Sequence, residues 1–277
     1  MKQNFFDINL VKVEWNIFSI IATITGFILA ITGVPEKLKI TILIISVIAF
    51  AIIYIIIFCY YKFWCKNLKL KIGKVDVTIK IGNIFKEEGL KVIPVNEYFD
   101  TLVDDIIISN NSLHGLYVKN YQKYNNLESL DKEINNKLIN YSPYEINTKR
   151  ILGKQKRYNI GTTIVINDFI LTALTKFNDN NEAYLSMQDY LIFLNKFWNE
   201  INRIHNGRII NVPIIGTGIS RINPVLTEQE YLEQIIWSLK TSTLTTSKSR
   251  VNVIIYDLDK DKISLLRLKK IFKNMKI

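Results

Sequence analysis

The sequence is poor in the residues that build metal and nucleophile sites, since it has two histidines and two cysteines among 277 residues. His114 and His205 have no partner at metal-ligand spacing, so the sequence predicts no metal site. Cys59 and Cys65 lie in or beside an apolar stretch, which excludes a disulfide framework and fits reduced thiols in the cytoplasm. No serine or cysteine nucleophile forms a triad-like pattern with a histidine, so a triad hydrolase is not indicated.

Acidic residues are outnumbered by basic ones, 25 to 36, which gives a formal charge of +11. The basic residues do not form a stripe with interleaved aromatic residues, the pattern typical of nucleic-acid binding, so we expect no nucleic-acid partner. Part of the excess is instead a cluster that we expect to face anionic membrane lipid, at about 1 kcal/mol per residue. This cluster consists of Lys62, Lys66, Lys69, Lys71 and Lys74.

Charged residues are absent from two neighbouring stretches, 15–34 and 40–61. Each is longer than the ~18 apolar residues that mark a candidate span of a hydrocarbon core about 30 Å thick. Two adjacent stretches of this length favour a transmembrane helical hairpin, with 34–39 as its turn, over a core helix or a cleaved signal peptide. Because lysines crowd the far side of the second stretch, we expect a multi-pass protein with both termini in the cytoplasm.

The chain therefore divides into a polar lead (1–14), the hairpin (15–61), a basic connector (62–73) and a globular domain (74–277). In the globular domain, segments typical of strands alternate with segments that have helical spacing. Strands are predicted at 75–81, 90–95, 162–165, 169–174, 209–215 and 251–256, a β-hairpin at 150–158, and helices at 127–139, 187–204, 227–239 and 261–273. Thr227 and Glu230 have the spacing of a capping box. The alternation predicts an α/β domain with a mixed sheet, where ligands bind beyond the carboxyl ends of the strands.

A glycine-containing loop follows the predicted strand 209–215 and is the strongest candidate binding element. It comprises Gly216, Thr217, Gly218, Ile219 and Ser220. Successive backbone N–H groups in such a loop form a concave anion site, and glycine lets a ligand approach the backbone closely. Arg221 follows, and its guanidinium suits a diphosphate. An ordinary turn and a solvated surface arginine are the alternatives for these residues.

Two further segments place polar residues after apolar ones. The predicted strand 90–95 is followed by four polar residues, Asn96, Glu97, Asp100 and Thr101. Such residues are suited either to hydrogen-bond a ribose or base edge or to cap a helix. The segment Ser112, Leu113, His114 and Gly115 contains a histidine that is isolated in the sequence. A lone histidine is more often structural than catalytic, and both roles stay open for His114.

The order of these segments resembles a macro domain, the α/β/α fold that binds ADP-ribose. Macro domains have an early strand followed by Gly-Asp-Ile, where this chain has Gly82, Asn83 and Ile84. They have an asparagine-containing ribose loop, matched here by 92–101, and a late Pro-x-x-Gly-x-Gly loop, matched by 213–219. The resemblance implies a three-layer domain, with Asn83 and Ile84 near the base and the glycine loop around the diphosphate. Asparagine in place of aspartate changes the donors offered to adenine.

More specifically, the segments 93–101, 112–115 and 156–162 are similar to the macro domain of the ThsA effectors of Thoeris anti-phage defence. A membrane hairpin ahead of that domain resembles the type II system. The resemblance implies that a TIR-domain partner makes a diffusible ADP-ribose derivative, a histidine conjugate in type II. It also implies that binding of this ligand leads to homo-oligomerisation and damage of the bacterial inner membrane.

The sequence thus favours a membrane-anchored receptor and effector that is not an enzyme, has no cofactor, and binds an ADP-ribose derivative such as histidine-ADP-ribose. The segment 110–115 stands where hydrolytic macro domains have a glycine-rich loop, which argues against hydrolysis. Glu97, Asp100 or His114 is expected to face the terminal group of the ligand, because an acidic pair suits a cationic amino-acid moiety. A membrane-tethered ADP-ribosyl hydrolase, with His114 or Asp100 as its base, and a passive ADP-ribose-binding anchor remain the alternatives.

Overall fold

The computed structural model describes residues 8–218 and 221–273. These residues form two compact units, one with 8–68 and 260–273 and the other with 69–218 and 221–259. The helices are α1 (Ile8–Ile31), α2 (Glu36–Cys59), α3 (Leu113–Gln122), α4 (Leu127–Leu138), α5 (Met187–Ile204), α6 (Glu228–Lys240) and α7 (Leu265–Lys273). The strands are β1 (Asn67–Ile72), β2 (Val75–Ile81), β3 (Leu90–Asn96), β4 (Glu145–Ile146), β5 (Lys156–Arg157), β6 (Thr163–Ile166), β7 (Phe169–Phe177), β8 (Ala183–Ser186), β9 (Ile210–Pro213), β10 (Ile222–Asn223) and β11 (Ser249–Ile255).

In the first unit, α1 and α2 pack against each other, and the rings of Phe18 and Phe50 lie 4.4 Å apart. Within the described part of the chain, one helix, Glu36–Phe63, is long and apolar enough to cross a membrane, and the apolar part of α1 there, Phe18–Ile31, is shorter. Crossing by one helix thus has structural support, whereas the second crossing and the orientation stay predictions.

The boundaries of these helices differ from the predicted spans. α2 begins at Glu36 rather than at residue 40, because Pro35 precedes its first turn and Glu36 pairs there with Lys39 at 3.0 Å. It continues beyond Cys59 as a π-helical turn, Tyr60–Trp64. The predicted connector 62–73 therefore contains regular structure, including strand β1, in which Leu68 and Ile72 are buried.

The second unit is built on a sheet with the strand order β1-β2-β11-β9-β3-β7-β8-β10, in which β6 also pairs with β7. The central pairs β2–β11, β11–β9, β9–β3 and β3–β7 are parallel, while β6–β7 and β7–β8 are antiparallel. The prediction of an α/β domain with a mixed sheet is confirmed.

The helices pack against the sheet through apolar side chains of both. One core cluster joins β3 and β7 to α3 and α4, and includes Val95, Val118 and Leu130. α5 and α6 pack on each other, and the indole Nε1 of Trp198 donates to Ser238 Oγ at 2.9 Å. α6 has the predicted capping box, since Glu230 Oε2 accepts from the Thr227 N–H at 2.8 Å and Thr227 Oγ1 accepts from the Glu230 N–H.

The structure also differs from the sequence prediction in other parts of the chain, and the short strands β8 and β10 were not predicted. The predicted hairpin 150–158 is instead a longer one, because β5 pairs with β4 and the intervening residues turn at Gly153, whose φ is +85°. Helix α3 was not predicted. The terminal helix α7 begins at Leu265, because the preceding residues form a 3-10 turn, Asp257–Lys262.

Candidate functional site

The parallel strands bring most of the predicted binding residues to one edge of the sheet. β2 ends at Ile81, β11 at Ile255, β9 at Pro213 and β3 at Asn96. Because parallel strands share the direction of their carboxyl ends, the residues that follow them lie along the same edge. This edge therefore carries Asn83, Tyr256, the loop 216–218 and the segment 97–101, and we call it the carboxyl edge.

The two glycines of the loop differ in their surroundings. Gly216 has a φ of +105°, and a Cβ there would lie 2.8 Å from the ring of Tyr231, so the fold itself requires glycine. Thr217 Oγ1 donates to the Ile214 carbonyl at 3.0 Å and closes the turn. A Cβ at Gly218 would meet no atom within 4 Å, so packing of the described residues does not require glycine there. Ile219 and Ser220 lie outside the described residues.

Arg221 lies on the surface beyond the loop. Its backbone has a φ of +43°, and its guanidinium pairs with Glu182 Oε1 at 3.1 Å. The side chains of Arg221 and Glu182 are 58% and 49% exposed, so solvent screens this pair strongly. The guanidinium is thus accessible, and breaking this contact costs little.

Asn83 and Ile84 have different positions at the end of β2. Asn83 is exposed, and its Oδ1 accepts from the Phe85 N–H at 3.0 Å, which caps the short 3-10 turn Ile84–Lys86. Ile84 is buried. The asparagine side chain therefore faces solvent at the carboxyl edge, and Tyr256 follows β11 there with its side chain 57% exposed.

The loop after β3 is organised by the Asn96 side chain. Its Oδ1 accepts from the N–H groups of Tyr98 and Asp100, and its Nδ2 donates to Asp100 Oδ2 at 3.0 Å. Thr101 Oγ1 donates to Asp131 Oδ1 at 2.8 Å. Asn96, Asp100 and Thr101 therefore hold the shape of the loop through contacts inside the protein.

Glu97 and Asp100 have no exposed surface, and each pairs with an arginine of the hairpin that ends in β5. Asp100 accepts from Arg150 Nη1 at 3.2 Å and Nη2 at 2.8 Å, and from the Lys154 N–H at 2.7 Å. Glu97 Oε1 accepts from Arg157 Nη2 and the Phe177 N–H, both at 2.8 Å, and Oε2 from the Tyr144 hydroxyl at 2.7 Å. We call these two pairs the arginine latch.

The arginine latch changes the interpretation of the two carboxylates. They are neutralised within the chain, so their contacts do not support the expectation that they present an acidic pair to a cationic ligand group. Burial and the Glu97 carboxylate together raise the pKa of the Tyr144 hydroxyl, which keeps it a proton donor to Glu97. Neither arginine was predicted as a partner, because Arg150 and Arg157 flank the turn at Gly153 and pair with residues 50 and 60 positions earlier in the sequence.

The segment 112–115 forms the beginning of α3. Ser112 is the N-cap, and its Oγ accepts from the Gly115 N–H at 3.0 Å. A Cβ at Gly115 would collide with the Ser109 carbonyl, and Leu113 packs against the core. Burial lowers the pKa of His114 to about 3, against an opposing effect of the Asp100 backbone, so the imidazole is neutral at physiological pH.

A cavity of about 240 Å³ lies beside the loop after β3. Its lining includes Thr101 and Leu102 from the loop, Asp131 from α4, and Lys154 from the hairpin. Lys154 Nζ pairs with Asp131 Oδ1 at 2.6 Å and donates to the Phe99 carbonyl at 2.7 Å. Among the described residues, no group of three histidine, cysteine, aspartate or glutamate side chains is arranged to hold a metal ion.

Comparison with known sequences links this chain to one family. The family described as Thoeris protein ThsA, Macro domain, matches residues 77–256. A curated protein named Thoeris protein ThsA, from Bacillus amyloliquefaciens (strain Y2), is 32% identical over 238 residues, which cover 84% of this chain and 80% of that protein. The matched residues include all of the carboxyl edge.

Comparison with solved structures identifies the same fold. One point mutant of the Oceanobacillus iheyensis macrodomain is 15% identical, with a TM-score of 0.50, and the match covers 76% of this chain and 99% of that one. A second point mutant of that macrodomain, in a structure with ADPR, is also 15% identical, with a TM-score of 0.52, covering 75% of this chain and all of that one. At this identity the likeness shows the fold alone.

Proposed function

Since the chain belongs to the ThsA macro-domain family of Thoeris defence proteins, we propose that its carboxyl edge is a receptor site for one ADP-ribose-derived signal, of the histidine-ADP-ribose type. The observation that carries this proposal is Gly218. It is a glycine in the loop that follows the buried parallel strand β9, in a position where the described residues leave room for a side chain. A ligand that approaches the backbone closely gives a reason for glycine there.

We assign the parts of the ligand to the edge by their chemistry. The backbone N–H groups of the loop 216–220 hold the diphosphate, assisted by Arg221. Asn83 meets the base edge, and the exposed ring of Tyr256 is suited to stack on the base. The segment 96–101 lies beside the riboses. Its buried arginine latch positions the loop, so backbone groups of this segment are better candidates for contact than the buried side chains of Glu97, Asp100 and Thr101.

The terminal group of the ligand lies, in this proposal, towards the segment 112–115 and the loop before it. His114 is buried and neutral, which allows a hydrogen bond but no charge pairing. Ser112, Leu113 and Gly115 shape the start of α3 rather than carry out chemistry. We therefore propose a receptor that does not hydrolyse its ligand.

Membrane damage is the proposed output of ligand binding. The helix Glu36–Phe63 supports membrane association by its length and composition. We propose that α1 and α2 both cross the bacterial inner membrane, with the macro domain in the cytoplasm, and that a TIR-domain partner supplies the ligand. Ligand-bound protomers would then oligomerise and disrupt the membrane, causing cell death or growth arrest. A ligand can drive oligomerisation only if it binds the assembled state with higher affinity than the separate protomers.

Calorimetric titration of the full-length protein in detergent micelles tests the receptor site. We expect heat of binding with the histidine conjugate of ADP-ribose, and at least a tenfold loss of affinity in Gly218→Val, because the side chain fills the path of the diphosphate to the backbone. Gly207→Asn is the matched control. It adds a side chain in open space at the amino end of β9, where asparagine tolerates the φ of +74°.

The same material separates the alternatives. Absence of heat with both ADP-ribose and the conjugate, or an unchanged affinity in Gly218→Val, would contradict the receptor site. Turnover of ADP-ribosylated protein or of ADP-ribose esters that disappears in His114→Asn would indicate a hydrolase. Unimpaired growth when the ligand-making partner is co-expressed would indicate a passive ADP-ribose-binding anchor.

A further inference from the structure

The C-terminal helix α7 is strongly amphipathic. Leu265, Leu268 and Phe272 recur at helical spacing and are buried. Arg267 and Lys270 lie between them on the exposed face. Burial of the apolar face fixes which side of the helix the two cations present.

This basic helix lies beside the end of the apolar helix, although the two are far apart in the sequence. Within the first unit, α7 packs against α1. Lys269 Nζ donates to the Tyr61 hydroxyl at 3.2 Å, across 208 residues of sequence, and lies 5.8 Å from the centre of the Tyr61 ring. Lys269 also opposes the rise that burial causes in the pKa of the Cys65 thiol, which places its charge near Cys65 as well.

The end of the apolar helix has cations of its own. Lys62 and Lys66 are exposed in the residues that follow α2. We call these two lysines and three cations of α7, Arg267, Lys269 and Lys270, the basic collar, whose two parts are joined by the contact of Lys269 with Tyr61. The preceding turn, Asp257–Lys262, contains three aspartates and two lysines, a net charge of about −1 by formal count, and its Asp261 lies near Lys62. The five cations of the collar outnumber this excess. The collar therefore keeps a net positive charge.

Helix length places the collar at the membrane surface if the helix crosses the bilayer, as proposed above. The apolar helix has 28 residues. At about 1.5 Å per residue it extends about 42 Å, more than the ~30 Å of a hydrocarbon core. Its end near Lys62 then lies among the lipid headgroups, where the aromatic rings of Tyr60 and Tyr61 are also favoured.

We propose that the basic collar is a binding site for the phosphate of anionic phospholipids, formed jointly by the end of the apolar helix and by α7. Arginine and lysine at this position are the side chains that bind phosphate, arginine through two parallel hydrogen bonds. The site uses a helix that returns to the membrane after the whole macro domain. It rests on the proposed membrane insertion but not on the proposed nucleotide ligand.

Native mass spectrometry of the full-length protein, titrated in detergent with phosphatidylglycerol or phosphatidylcholine, tests this site. We expect a preference for phosphatidylglycerol that weakens about thirtyfold in the double variant Arg267→Gln/Lys270→Gln, since each basic residue near anionic lipid changes the affinity about fivefold. Lys132→Gln/Lys137→Gln is the matched control. It removes two exposed lysines from α4, with the same change in net charge.

Three results would overturn the proposal. These are equal binding of the two lipids by the wild type, an unchanged preference in the α7 variant, and an equal loss in the α4 control, which would indicate an effect of total charge. Far-ultraviolet circular dichroism of the α7 variant checks its folding, and we expect the spectrum of the wild type. Because no nucleotide is present in the lipid titration, failure of the receptor site and failure of the lipid site can be distinguished.

Discussion

At the level of single side chains, the loop beside the candidate site is held by buried charge. Asp100 and Arg150 are almost completely inaccessible, and the Arg150 guanidinium also lies 3.8 Å from the centre of the Tyr98 ring. Buried ions are tolerated when every oxygen and N–H group is paired, and they become costly when one partner is lost. The Arg150–Asp100 pair therefore fixes the position of the hairpin relative to the end of β3, whereas Arg157 Nε in the other pair of the latch is buried without a hydrogen-bond partner among the described residues.

Replacement of Arg150 tests the latch. We expect Arg150→Met to lower the free energy of unfolding by about 3–5 kcal/mol, because it leaves Asp100 buried and unpaired. The matched control is Arg208→Met, which breaks an exposed pair with Asp168 of 3.4 Å and should cost about 1 kcal/mol or less. Denaturant unfolding followed by circular dichroism measures the free energy of unfolding of both variants. Equal losses of stability would contradict a structural role for the buried pair of Arg150 and Asp100.

His114 gives the protein a specific dependence on pH. Its pKa in the folded protein is lowered to about 3 by burial, while in the unfolded chain it is ordinary, about 6.5. Between these values only the unfolded chain takes up the proton, so stability is present above about pH 6.5 and falls as the pH decreases. From pH 7 to pH 5 we expect His114 to contribute a loss of about 2 kcal/mol.

The variant His114→Gln isolates this contribution. Other groups titrate in the same range, but their effect is common to both proteins and cancels in the difference. Unfolding at pH 7 and pH 5, at equal ionic strength, should therefore show a smaller loss for His114→Gln than for the wild type. An identical loss in the two proteins would mean that His114 is solvated in the folded state.

At the level of helices and strands, local sequence patterns predicted an element correctly wherever one of its faces is apolar and its ends carry a cap or a glycine. The predicted boundaries of α5 and β2 agree with the structure, and α6 begins at its capping box. These elements combine regular apolar spacing with a cap or a glycine at the boundary. The α/β class with a mixed sheet could therefore be predicted from local patterns, whereas the macro-domain fold was implied by the resemblance to that family.

The missed elements lack such local signals. Helix α3 contains a glycine and a histidine, and its helical structure depends on the Ser112 cap and on burial of Tyr117 and Val118 against the sheet. Strand β1 lies in a run of lysines that resembled a connector. Its structure comes from pairing with β2, which a local pattern does not reveal.

The candidate site could be predicted only in its position. The strand ends predicted the edge of the sheet on which Gly216 and Asn96 lie, and the family resemblance added Asn83. The partners of Glu97 and Asp100 could not be predicted, because Arg150 and Arg157 are 50 and 60 residues away and no periodic pattern connects them. For this reason polar residues that suggested ligand contacts turned out to be bound largely within the protein.

At the level of the whole chain, the connection between the two units follows from the order of the segments. The chain passes between the units near residues 68 and 260. The second passage follows β11, whose end contributes to the carboxyl edge, and leads to α7. Between β11 and α7 the chain forms the turn Asp257–Lys262.

The proposed oligomerisation makes a quantitative prediction, because binding and assembly are linked. If the ligand favours the assembled state, assembly must raise the affinity for the ligand by the same factor. The apparent dissociation constant of the full-length protein in detergent should therefore decrease as the protein concentration rises, and sedimentation should show larger species only with ligand. The variant Gly218→Val should show neither effect at the same ligand concentration. A dissociation constant that is independent of protein concentration would mean that the ligand does not distinguish the two states, and that membrane disruption needs another cause.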